Sequence, residues 1–386
     1  MKPCRQGRFA RAFGLGVIHA MLVAVFPGCD SATAGDTESP NADLTTEVVA
    51  TGLDTVWELA WGPDGFIWVT ERSGKLSRIN PQTGTVSVVS QLVVEEIGEG
   101  GLMGLAFHPD FTSEPWVYLA HTYAGQNGIR NRVIRARYDG TTLGAPQVVL
   151  ADIPGSSIHN GSRLAIGPDR LLYVTTGDAS DPQFAQNRDA LAGKVLRLTL
   201  DGQPAPGNPF GTRTWSYGHR NPQGIAFAPD GSLYITEHGP ADNDEVNRVE
   251  AGRNHGWPAV HGRCDGDIGL AEMSFCSAND VAEPLAIWTP TIAPAGLAYY
   301  DAELIPAFRR SLFFATLKDA TLYRIALSTD GRSAESTERL FDRDFGRLRA
   351  VLVAPDGSIY LGTSNRDGRG TPMPTDDRVI RIRPRE

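Results

Sequence analysis

Short apolar and polar positions alternate along most of the chain, and one phrase keeps returning: a turn carrying Pro-Asp, then a strand with every second residue apolar. It reads GPDGFIWVTE at 62–71, HPDFTSEPWVYLA at 108–120, GPDRLLYVTTGD at 167–178, APDGSLYITEHG at 228–239 and APDGSIYLGTS at 354–364. IPAFRRSLFFATL at 305–317 keeps the proline and loses the aspartate. The prolines, Pro63, Pro109, Pro168, Pro229, Pro306 and Pro355, stand 46 to 77 residues apart. Proline fixes φ and Asp-Gly closes a tight turn, so each phrase predicts a hairpin turn and the strand that leaves it.

A second strand follows most of these phrases: KLSRIN (75–80), RVIRARY (132–138), KVLRLTL (194–200), TLYRIAL (321–327) and RVIRIR (378–383). Apolar residues alternate there with Arg, Lys or Ser, the pattern of a sheet with one buried and one wet face. No long stretch has helical periodicity; residues 184–192 offer a turn or two. Six such repeats predict an all-β fold, a six-bladed β-propeller of four-stranded antiparallel blades. The segment TEVVA (46–50) is expected to pair with the C-terminal blade and close the ring. Binding loops of such a fold gather at one end of the central channel, so polar loops next to strands are the places to look.

The N-terminus departs from this pattern. Lys2, Arg5, Arg8 and Arg11 precede a mostly apolar stretch, residues 13–26, that is short for a bilayer span. This predicts an export signal over residues 1–28. Gly28-Cys29 resembles a lipoprotein cleavage site, which would attach the mature chain to the membrane through a lipid on Cys29. Residues 29–44 are small, polar and acidic and read as a flexible tether, leaving 45–386 for the propeller. The expected location is the periplasm or the bacterial envelope. Cys4 and Cys29 belong to the signal, so Cys264 and Cys276 are left as a disulfide pair suited to an exported protein.

Composition narrows the function. The 42 glycines and 26 prolines mean many turns, and a net charge of −9 argues against a nucleic-acid partner. There is no Walker motif, no H-E-x-x-H and no G-x-S-x-G, and GEGGLMG (98–104) follows no strand–helix unit that would make it a dinucleotide site.

The richest chemistry is in YGHRNPQG (217–224) and EHGP (237–240). Arg220 offers a planar fork, and Asn221 and Gln223 offer donors and acceptors. Gly239 and Pro240 present bare carbonyls, and Asp242, Asp244 and Glu245 add hard anionic oxygens, a set suited to Ca2+ rather than zinc. His159, in HNGSRLAIGPD, is a candidate general base or a loop histidine bonded to backbone. Arg163 could orient a neighbour or a substrate. Lys318, Arg347 and Arg349 adjoin apolar strands and could face the channel, although surface cations are more often simply solvated. Cations, amides, carbonyls and one histidine from different blades point to an anionic organic cofactor with a metal.

Those residues lie in an ordered set of motifs: GLMGLAFHPDF (101–111), HNGSRLAIGPD, GKVLRL (193–198), SYGHRNPQGIAF (216–227), EHGPADNDE, NHGWP (254–258), WTPTIAPAG (288–296) and RLRAV. Together they resemble the soluble glucose/sorbosone dehydrogenases that use pyrroloquinoline quinone (PQQ), in the wording of the aldose sugar dehydrogenase branch, over residues 45–386. The resemblance implies an enzyme that oxidises aldose sugars to lactones and hands electrons to an acceptor that the chain does not name. It assigns His159 the anomeric hydroxyl proton while hydride passes to the C5 carbonyl of PQQ. Arg220 and Asn221 would hold the quinone, and Lys318, Arg347 and Arg349 would pair with its carboxylates and ortho-quinone oxygens, with Thr291 adding a contact. The carbonyls of Gly239 and Pro240 would ligate Ca2+, and Glu245 with the carbonyl of His255 resembles a second calcium site. Three positions depart from the family pattern. Glu99 stands where Gln is usual, which puts a carboxylate near an anionic quinone. His255 replaces a Tyr and Ala295 a Ser. Two other readings remain: a calcium-dependent lactone hydrolase, and a propeller that binds carbohydrate or protein without catalysis.

Overall fold

A computed structural model describes residues 41–385; the expected export signal, Cys29 and most of the expected tether lie outside the described residues. The described strands form six four-stranded antiparallel sheets, the blades of a β-propeller. Blades 1 to 5 are consecutive in sequence, at residues 56–91, 102–154, 164–217, 222–288 and 294–340. Blade 6 takes Leu348–Val353, Ile359–Thr363 and Val379–Pro384 from the C-terminus and Leu44–Ala50 from the N-terminal side. Leu44 lies opposite Pro384 and Val48 opposite Ile380, so the ring closes as expected. The closing strand starts at Leu44, one residue inside the segment assigned to the tether.

The recurrent aspartate has a local cause. Asp64 Oδ1 accepts the amide of Phe66 at 3.3 Å and the indole N–H of Trp68 at 3.0 Å. Asp169, Asp230 and Asp356 accept the amides of Leu171, Ser232 and Ser358 in the same way, at 3.2, 2.8 and 2.9 Å. Each side chain thus closes its own turn and sets the next strand. The inner strand of every blade lies against those of both neighbours. The buried apolar residues form six clusters, one for each seam between adjacent blades, including Ile67, Val69 and Tyr360 between blades 1 and 6. Every blade therefore buries both faces.

This topology sorts the loops by end. The Pro-Asp turns join the first and second strands of the blades and lie at one end. Segments that precede a first strand, or join a second strand to a third, lie at the other. His159, Arg220, Asn221, Gly239, Lys318 and Arg347 all belong to this second class. Beneath them Arg163 crosses the channel. It stacks 4.1 Å from the Trp57 ring, pairs with Glu58 at 2.5 Å and donates to the Gln223 carbonyl at 2.9 Å. It fastens inner strands of three blades rather than facing a substrate.

The helix Leu270–Asn279 was not expected. It belongs to an insert between the third and fourth strands of blade 4, held by the expected Cys264–Cys276 disulfide. Its apolar residues are largely exposed, Leu270 at 88 %, so no buried stripe marks it in the sequence. The short helix Gln183–Gln186 matches the expected turn.

Candidate active site

The loop before blade 3 is held tightly. His159 and Ser162 take left-handed φ values of 59° and 74°, a cost met where surrounding contacts over-determine the backbone. A Cβ on Gly177 would come within 1.9 Å of the His159 carbonyl, so this crossing needs glycine. His159 Nδ1 donates to Asp178 Oδ1 at 2.8 Å, and Asp178 Oδ2 accepts the Trp257 indole N–H at 2.9 Å. Asp178 is almost fully buried and the His159 ring only slightly exposed. With Nδ1 committed, Nε2 is the basic nitrogen.

A cavity of about 210 Å³ opens beside this loop. Glu99, Gln223, His238, Ala293, Leu317, Lys318, Arg347, Arg349 and Arg369 line it. Lys318 Nζ donates to Thr291 Oγ1 at 2.6 Å. Arg349 is buried and reaches only neutral oxygens, Gln223 Oε1 at 3.3 Å and Ser364 Oγ at 3.4 Å; burial lowers its pKa to about 10. The Arg347 fork is taken up by Asp367, with contacts of 2.7 to 3.0 Å, and Nη1 donates to the Leu317 carbonyl. Glu99 Oε1 meets Arg369 at 3.3 Å, and Oε2 accepts the amide of His159 at 3.3 Å. Burial alone would raise the Glu99 pKa, but His238, Arg349 and Arg369 outweigh it and hold the carboxyl below its ordinary range. Glu99 is therefore ionised and lies in the wall of the cavity.

A second, much smaller cleft of about 10 Å³ adjoins it, with room for about one small species. Gly239, Pro240, Glu245 and His255 all line it, as do Arg220, Glu237 and His238. Arg220 lies over the Trp257 ring, with its guanidinium 5.3 Å from the ring centroid, and donates to the His238 carbonyl at 3.2 Å. Glu237 accepts the amide of Arg220 and bonds His219 Nδ1 at 2.9 Å. Burial raises the pKa of Glu237 and of Glu245. Asp244 is no free ligand: its oxygens accept the amides of Gly239, Ile292 and Ala293 at 2.6 to 2.8 Å. Among the described residues no group of three or more His, Cys, Asp or Glu side chains is arranged to hold a metal. Glu237 is buried and Glu245 half-buried, and both accept bonds, Glu245 from Asn247 Nδ2 at 2.7 Å and the Gly262 amide at 3.1 Å. With a lone pair to spare on each carboxylate and the carbonyls of Gly239 and Pro240 nearby, the cleft nonetheless fits a hard, oxygen-seeking dication, which would replace the protons those carboxylates retain.

The donors also fit an anionic quinone. Asn221 is fully buried with Oδ1 engaged by Gly161 and Gln223, while its Nδ2 has no partner. Arg220 Nε is likewise buried and unpartnered. Unmet donors of this kind mark a place for acceptor oxygens.

The structure thus gathers Glu99, Lys318, Arg347 and Arg349 around one cavity, with Thr291 behind Lys318. It places Arg220 with Gly239, Pro240, Glu245 and His255 in the adjoining cleft. Asn221 lies buried, bonded to Gly161 in the loop before blade 3 and to Gln223 of blade 4, and His159 adjoins through Glu99. The rings of His255 and His219 stack 4.4 Å apart, and neither His255 ring nitrogen has a partner. Ala295 is buried, so a hydroxyl there would sit in the packing. Asp178, His238, Trp257, Asp367 and Arg369 were not singled out from the sequence. The usable signal was position: Asp178 and His238, like Lys318, follow the second strand of a blade within two residues.

The profile of the glucose/sorbosone dehydrogenase family matches residues 53–373. The chain is 31% identical to the aldose sugar dehydrogenase YliI of Escherichia coli, over 85% of this chain and 92% of that one. It is 29% identical to quinoprotein glucose dehydrogenase B of Acinetobacter calcoaceticus, over 92% of each. The fold superposes on the PQQ-bound aldose sugar dehydrogenase of Streptomyces coelicolor with a TM-score of 0.77 and 38% identity, covering 89% of this chain and 99% of that one. With the site and the relatives in agreement, the chain belongs to the glucose/sorbosone dehydrogenase family.

Proposed function

We propose that this protein is a quinoprotein oxidoreductase that converts aldose sugars to lactones, using PQQ with Ca2+ beside it. One observation carries the reading: a cavity with cations tied only to neutral groups, Lys318 and Arg349, beside a histidine whose Nδ1 is held by a buried carboxylate. Bound PQQ supplies the two-electron acceptor for the hydride that leaves the anomeric carbon. Lys318 and Arg349 would meet its carboxylates, and Arg220 and Asn221 would donate to its oxygens. Arg347, already paired with Asp367, would act through position more than through free charge. His159 Nε2 takes the anomeric hydroxyl proton as the ring carbon becomes a lactone carbonyl, and Asp178 stabilises the resulting imidazolium. Gly239 and Pro240, with Glu245 and His255 on the same cleft, would hold Ca2+.

The names of the relatives support the sugar and the quinone. The protein is exported to the periplasm and anchored to the membrane through a lipid on Cys29; the Cys264–Cys276 disulfide supports an oxidising compartment. The electron acceptor is a separate redox partner. The test is reconstitution with PQQ and Ca2+, followed by dye reduction across a panel of aldoses and identification of the lactone. His159→Ala and Arg220→Ala should each lower turnover by at least about 10²-fold with the fold intact. Dye reduction that ignores PQQ, or full activity in both variants, rejects the reading. Lactone cleavage without PQQ would instead indicate a hydrolase.

A further inference from the structure

We infer that Arg369 is a cofactor-site residue whose task is to neutralise Glu99, so that a carboxylate can stand in the wall of a cavity built for an anion. The inference rests on the quinone reading above.

The charges of the cavity fall into pairs and remainders. Arg347 and Asp367 cancel through a two-pronged contact. Glu99 and Arg369 cancel across 3.3 Å. Lys318 and Arg349 are left over, bonded only to Thr291, Gln223 and Ser364. Without Arg369, the charge of Glu99 would be balanced mainly by Arg349, so less of that buried cation would be left to meet a bound carboxylate.

Both corrections come from one loop, between the second and third strands of blade 6. Asp367 and Arg369 are two residues apart there, and the Arg369 amide donates to Asp367 Oδ1 at 2.9 Å. Asp367 thus sets Arg347, and Arg369 reaches Glu99 in the connection between blades 1 and 2, 270 residues away in sequence. The Arg369 side chain is 61% exposed and that of Glu99 18%. So exposed a pair adds little to stability, which leaves the electrostatics of the cavity as its consequence. The second oxygen of Glu99 holds the His159 amide at 3.3 Å, so Glu99 has a positional use that a charge-matched environment preserves.

The experiment is a double-mutant cycle on PQQ binding. Apoprotein with Ca2+ present is titrated with PQQ, and the dissociation constant is read from quinone absorbance and quenching of tryptophan fluorescence, with no turnover involved. Arg369→Gln should weaken binding by about 10-fold or more at low salt, and the loss should shrink as salt is raised. Glu99→Gln should bind at least as tightly as wild type. The double variant should return to within about three-fold of wild type, because the carboxylate that competes for Arg349 is gone. Arg369→Lys, which keeps the charge without the fork, should retain most of the affinity and guards against a folding defect in the Gln variant. Equal losses from Arg369→Gln with and without Glu99, or no loss at all, overturn the inference while leaving the quinone reading in place. Wild-type protein that takes up no PQQ overturns both.

Discussion

His159 Nδ1 and Asp178 Oδ1 are 2.8 Å apart, and the other oxygen of Asp178 is held by the Trp257 indole at 2.9 Å. In the proposed role of base, His159 would depend on this carboxylate for tautomer and orientation, and for stabilising positive charge once the proton arrives. Asp178→Asn keeps the shape and can present an N–H where an acceptor is needed. Turnover of aldose by the reconstituted enzyme should fall by about 10²-fold or more, with a much smaller change in KM. Circular dichroism and melting should stay as in wild type. Turnover within about two-fold of wild type would remove His159 from the role of base.

Much of the frame was legible because its cause is local. The Pro-Asp phrase could be read since Asp64, Asp169, Asp230 and Asp356 bond amides two residues on. The partner strands could be read from alternation, and the ring closure from a lone strand left at the N-terminus. Contacts made between loops distant in sequence were hidden. Asp178 meets His159 only after a hairpin brings the two strand ends together, and Arg369 meets Glu99 only once the ring closes. The helix Leu270–Asn279 escaped because it packs no apolar stripe against the sheets. Of the two uses the sequence allowed Arg163, orienting a neighbour or a substrate, the structure shows the first: its guanidinium joins inner strands.

That use of Arg163 has a stability consequence. Glu58 is buried against it, and desolvation keeps the carboxyl raised even with Arg163 at 2.5 Å. Arg163→Met leaves Glu58 in the channel without a partner and should cost about 3–5 kcal/mol in denaturant unfolding. Adding Glu58→Gln should recover part of that loss, because no charge is then stranded. If the single and double variants unfold together, the pair is not what holds the inner strands.

Ca2+ beside Glu237 and Glu245 would change how stability depends on pH. Burial raises Glu237 and Glu245 above their ordinary value of 4.5. The folded, metal-free protein therefore holds more protons than the unfolded chain as pH rises above 4.5, and its stability falls through that range. In a chelator, melting should be lower at about pH 8 than at about pH 5.5, and Ca2+ should restore it most at the higher pH, where it takes the place of the protons. Glu245→Gln should flatten the pH slope and reduce the response to Ca2+. A melting point that rises with pH in chelator contradicts the assignment of these carboxylates.

Closure of the ring can be tested by removing its last strand. Leu44–Ala50 is the fourth strand of blade 6, and Leu44 and Ala50 are 6% and 5% exposed. Without it, the backbone edge of Val379–Pro384 loses its partner and two apolar clusters open, one through Leu44 and one through Ala50. An unpaired edge of that kind invites strand pairing between molecules. Protein beginning at residue 51 should therefore aggregate or melt far below protein beginning at residue 41, which retains the strand. The comparison isolates the strand because both versions lack residues 1–40. Equal melting of the two would mean that blade 6 is stable with three strands and that the N-terminal strand only covers it.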